Sequence, residues 1–85
     1  MRMNNGIIIR YEPQIENGVL YIFDLNNEKV YKGNYNGYIL LKAIQSDQLE
    51  EYKQRINAIS DKELVKKMDV FVKFLTEKEV LVVGG

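Results

Sequence analysis

The side chains able to do chemistry in this chain are few in kind. Across 85 residues there is no histidine and no cysteine, so acid–base or nucleophilic work falls to carboxylates, Lys, Ser and Tyr. Two carboxylate pairs have a spacing at which one group could donate and the other accept a proton: Glu50 with Glu51, and Glu77 with Glu79. Both lie in charged stretches that read as solvated helix faces, and nothing beside them supplies a nucleophile. A metal would have to be held by oxygen ligands alone. Neither GxxxxGK(S/T) nor GxGxxG occurs, so no phosphate loop is expected despite the glycines and Asn-rich turns. The chain reads as non-catalytic, with no cofactor.

Residues suited to binding are better defined. A periodic set (Leu64, Met68, Phe71, Val72 and Leu75) marks the buried stripe of a helix near the C-terminus. Val70 and Phe74, four residues apart, fall beside that stripe and either widen it or line a groove, with Lys66 and Lys73 nearby. Upstream, Lys29-Val30-Tyr31-Lys32-Gly33 reads as a short strand flanked by lysines, a common protection for a sheet edge. An exposed edge can accept an extended peptide as an additional strand, and an apolar wall beside it would add selectivity. The candidate binding residues are therefore Lys29, Val30, Tyr31, Lys32, Gly33, Lys66, Val70, Lys73 and Phe74.

The elements that must position these residues follow from the pattern. Met1 to Gly6 is expected to fray. Ile7 to Tyr11 is β-branched and aromatic, a strand that stops before Pro13. Glu16-Asn17-Gly18 is turn chemistry. Val19 to Leu25 is apolar at odd and even positions alike and reads as a central core strand. Asn26-Asn27 suits a tight hairpin into Lys29–Lys32, with Asn supplying positive φ. Asn34 is placed to cap a helix whose stripe is Leu40, Leu41 and Ile44, joined by Tyr38. Asp47 and Glu50 have capping-box spacing for a second helix carrying Leu49, Tyr52 and Ile56. Ser60 with Glu63, and Ile59 with Leu64, read as the capping box and hydrophobic staple of the third. Val80 to Val83 can form a short last strand before Gly84-Gly85. The predicted fold is α+β in the order βββααα: a three-stranded antiparallel sheet, then three helices.

Length and charge bound the rest. Eighty-five residues make one domain, spanning 1–85, and one this small buries only about 60–65% of its unfolded surface. Lys+Arg and Asp+Glu both total 12, and this neutrality argues against a nucleic-acid partner, whose phosphates select clustered positive charge. No stretch approaches the roughly 18 apolar residues of a membrane helix, and the expected location is cytoplasmic.

Gly18-Val19-Leu20, Val30-Tyr31 and Asn34-Tyr35-Asn36-Gly37-Tyr38-Ile39-Leu40-Leu41 resemble the hairpin and Asn-x-Thr-Gly-x-x-Ile-(Trp/Leu) pattern of PqqD-like proteins. Those are the peptide chaperones of pyrroloquinoline quinone biosynthesis and the recognition elements of related peptide-modifying systems. Met68, Phe71-Val72, Leu75 and Val80-Leu81 resemble the family's Val-x-x-Phe-Leu-x-x-Leu-x-x-x-Gly-(Leu/Ile) ending, so the resemblance covers residues 7–83. Three positions depart from it. Gly33 stands where the family has Leu, which is expected to loosen the strand-to-helix corner. Asn36 replaces Thr, and Glu79 replaces the glycine before the last strand, where a different turn is expected.

The resemblance implies a winged helix-turn-helix-like domain that binds the leader segment of a ribosomally made precursor peptide. The leader would add to the third strand, Lys29 to Gly33, against the third helix at Lys66, Val70, Lys73 and Phe74. The domain would present it to a modifying enzyme such as a radical S-adenosylmethionine enzyme, a peptidase or a cyclase. No catalytic domain is attached, so this would be the stand-alone form, a monomer or a homodimer formed through the edge strand. A winged-helix DNA-binding protein shares the topology, but the third helix carries no Arg, Asn or Gln to read base edges. The terminal Gly-Gly resembles the tail of ubiquitin-like sulfur carriers. Their β-grasp fold, however, needs strands after its main helix rather than two more helices.

Overall fold

A computed structural model describes residues 1–58 and 62–84. Its elements in chain order are β1 (Arg2–Met3), β2 (Ile7–Glu12), β3 (Val19–Asp24), β4 (Lys29–Gly33), α1 (Tyr35–Gln45), α2 (Leu49–Ala58), α3 (Lys62–Glu77) and β5 (Leu81–Val82). Strands β2, β3 and β4 form an antiparallel sheet in that order, and β1 pairs with β5 in a separate two-stranded ladder. This is the α+β order βββααα with a short C-terminal strand. Ser60 and Ile59, and with them the expected capping box and staple of α3, lie outside the described residues.

The central strand explains the layering. On β3 the even-numbered residues Leu20, Ile22 and Asp24 are buried, whereas Tyr21 and Phe23 are half-buried on the opposite face. Period-two alternation puts Leu20 and Ile22 against the helices. There they join Leu40, Leu41 and Ile44 of α1, Ile56 of α2, and Met68 and Leu75 of α3 in one core cluster. Register carries the same face into β4, where Tyr31 lies opposite Ile22 and Gly33 opposite Leu20. Val30 and Lys32 therefore share the other face with Phe23 and Tyr21.

Several expected details are revised. The N-terminal residues do not fray: Arg2 and Met3 pair with Val82 and Leu81, and the Asn4 N–H donates to the Val80 carbonyl at 2.9 Å. The central strand ends at Asp24, and Leu25 is exposed in the loop rather than in the core. That loop has four residues, 25–28, and its positive φ belongs to Glu28 (54°) rather than to either Asn. Gly33 does not loosen the corner. It keeps its ladder place, and Asn34 caps α1 by accepting from the Gly37 N–H at 3.1 Å.

Asp47 does not cap α2 either. It sits at φ 58° as the residue that stops α1, its N–H donating to the Ile44 carbonyl while Gln48 N–H donates to Ala43. Those two bonds make a Schellman motif. Helix α2 then begins on the Gln48 carbonyl, which accepts from the Tyr52 N–H. At the end of α3 the same motif recurs. Glu79, at φ 61°, donates to Thr76, and Val80 N–H donates to Leu75. Glu79 thus adopts the conformation a glycine would, and the final turn is the one a glycine would make.

Gly18 is needed as glycine. It has φ 108°, and a Cβ there would overlap the Tyr11 hydroxyl. Tyr11 in turn stacks on Tyr38 of α1, with ring centroids 4.4 Å apart and nearly parallel. Through that pair the end of β2 packs on the first helix.

Candidate functional site

Strand β4 is an edge of the three-stranded sheet, with β3 on one side and no strand on the other among the described residues. Its outward N–H and C=O groups are the pairing surface that strand addition uses. The adjacent wall is α3. Tyr31 on the helix-facing row of β4 meets Phe74 edge-on, with centroids 5.6 Å apart and rings at 89°. Phe74 is still 38% exposed, and Val70, one turn earlier, is 69% exposed. These two residues therefore do not widen the buried stripe; they stand outside it.

Two hollows lie along this junction. The first, of about 230 Å³, opens between the end of β4 with the start of α1 and the N-terminal half of α3. Lys32, Gly33 and Gly37 line one side, and Lys67, Met68 and Phe71 the other. Two glycines on the β4–α1 side of its wall let neighbouring core side chains approach the backbone closely. A Cβ at Gly37 would stand 3.2 Å from the Phe71 ring, and one at Gly33 would stand 3.3 Å from Leu20 Cδ2. The second, of about 410 Å³, is a shallower depression on α3 lined by Lys66, Lys67, Val70, Phe71 and Phe74. Phe71 and Lys67 belong to both and separate them.

Of the expected residues, Tyr31, Val70 and Phe74 come together with Lys66, while Lys32 and Gly33 line the first hollow. Lys73 is exposed and lines neither. Lys29 stands at the far end of β4, and Val30, 58% exposed, faces the opposite side of the sheet. The Lys32 Nζ lies 5.7 Å from the Tyr21 ring centroid, on that same outer face. Lys67 and Lys78 were missed. Lys67 precedes Val70 and Phe71 by three and four residues, so helical spacing from Val70 would have found it. The Lys78 Nζ stands 5.8 Å from the centroid of the Phe74 ring, four residues back on the same face.

The electrostatics of the junction follow. In a chain of zero net charge, Lys66 and Lys67 line the depression, Lys78 stands over its Phe74, and no carboxylate among the described residues lines either hollow. Elsewhere, Glu50, Glu51 and Glu77 are exposed on helix faces, and Glu79 is exposed in the turn after α3. Among the described residues there is no cluster of three or more carboxylates arranged to hold a metal ion. No helix among them is long and apolar enough to cross a membrane. The chain matches no family model, no curated protein and no solved structure.

Proposed function

We propose that this chain is a non-catalytic, PqqD-like peptide chaperone, acting in the cytoplasm. It takes up the leader segment of a ribosomally made precursor and presents it to a peptide-modifying enzyme. The supporting observation is the conjunction at one junction: an edge strand, β4, unpaired on its outer side, beside an exposed apolar pair, Val70 and Phe74, with lysines around them. Backbone pairing along β4 gives affinity with little demand on sequence. The α3 wall gives selectivity, and its exposed aromatic is the kind of side chain that anchors an interface.

Val70→Asp tests the reading. Val70 is exposed in the free chain, so the substitution leaves the fold intact while placing a charge where the peptide would bury it. Affinity for the leader of a short precursor encoded beside the gene is expected to fall by about 1–3 kcal/mol, or roughly 5- to 150-fold in Kd. A folded Val70→Asp chain with an unchanged Kd contradicts the proposal.

A further inference from the structure

Resting on the strand-addition reading, we infer that the segment this site selects is an acidic peptide with two apolar side chains two residues apart. The ruler is β4. Its helix-facing row holds Lys29, Tyr31 and Gly33, of which the last two lie opposite Ile22 and Leu20 in the ladder. Gly33 lines the first hollow, and Tyr31 packs on Phe74, which lines the second. A strand added outside β4 repeats the same alternation, so side chains at i and i+2, about 6.8 Å apart, turn toward α3 at these two places. One of them meets the first hollow, which Gly33 and Gly37 line. The other meets Val70 and Phe74. The residue between them points away, toward the outer face with Val30 and Lys32, and is free to vary.

Charge complementarity supplies the remainder. Lys66 and Lys67 line the depression, Lys78 stands over Phe74, and among the described lining residues there is no carboxylate. A basic peptide would meet like charge there, whereas Asp or Glu beside the apolar pair would meet three ammonium groups. Because each such pair is exposed, their value is in discrimination more than in raw affinity. Two copies of this chain meeting through this face would bring the lysines together, which disfavours a self-dimer as the occupant.

The test is selection of a random peptide library displayed on phage against the immobilised full chain. Enriched peptides are then resynthesised and titrated into isotope-labelled protein. The expected consensus has apolar residues at i and i+2 with an excess of Asp and Glu around them. These peptides should shift resonances of residues 31–33 and 66–74, and Lys67→Glu should weaken them about three- to tenfold. Peptides that shift those resonances but show another apolar spacing, or no acidic excess, overturn the inference and leave strand addition standing. Enriched peptides that map elsewhere overturn both, as does a library with no enrichment. Resonances of β4 that move on dilution of the chain alone would assign the edge to a second copy and also overturn it.

Discussion

At the residue scale the group that does most outside the binding face is Asp24. It ends β3 on the helix-facing row, and only 1% of its surface is exposed. Its carboxylate accepts from the Asn27 side-chain amide at 2.9 Å and from the backbone N–H groups of Asn26 and Asn27 at 3.0 and 3.2 Å. The Asn27 side-chain bond is the largest influence. It and the two backbone bonds outweigh desolvation, so the carboxyl titrates below its ordinary 3.8. A depressed folded value stabilises the fold above the unfolded pKa of about 3.9, and that contribution is lost as pH falls through the folded value. The unfolding midpoint should therefore lose this contribution below about pH 4. Asp24→Asn should be less stable at neutral pH and show a flatter acid limb. An acid limb identical in the two proteins contradicts this role. Nothing in the sequence singled Asp24 out. The strand was expected to run on to Leu25 with no role for Asp24, yet alternation from Leu20 and Ile22 carries position 24 inward. There the two Asn residues that looked like turn formers satisfy it.

At the element scale, what the sequence made legible is what depends on local residue pattern. The strands follow from β-branched, aromatic and apolar runs bounded by turn residues, the helices from spacing of 3.6, and the cap at Asn34 from one side-chain acceptor. The helix endings were not legible, because Asp47 and Glu79 take left-handed backbone that side-chain type does not announce. Both hold Schellman motifs whose carbonyl partners lie within the preceding helix, and Val80 and Leu75, brought together by the second motif, are both fully buried. Left-handed backbone costs a non-glycine residue about 1–2 kcal/mol, and glycine's greater freedom when unfolded returns part of that. Asp47→Gly and Glu79→Gly should each stabilise the chain by about 0.5–1 kcal/mol in chemical denaturation. A loss of stability in both would contradict the conformations described. On the binding elements, the Val70–Phe74 pair was legible as residue types left over from a buried stripe. The first hollow was not, since its lining joins residues of β4, α1 and α3 that only the tertiary fold brings together.

At the scale of the whole molecule, a single core joins the sheet to all three helices, and the β1–β5 ladder ties the first residues to the last strand. That closure lies in a ladder separate from β4, so the β2–β3–β4 sheet keeps its edge at β4. The lysines flanking β4 and those of α3 surround an edge beside an apolar wall. This is the arrangement of a strand acceptor guarded against indiscriminate pairing. The most direct measurement is amide hydrogen exchange of β4 in the free chain and with a bound leader peptide. Strand addition must engage alternate outward N–H groups along Lys29–Gly33, so those amides should exchange markedly more slowly in the complex. A peptide that binds while β4 amides exchange at their free rate would contradict the account.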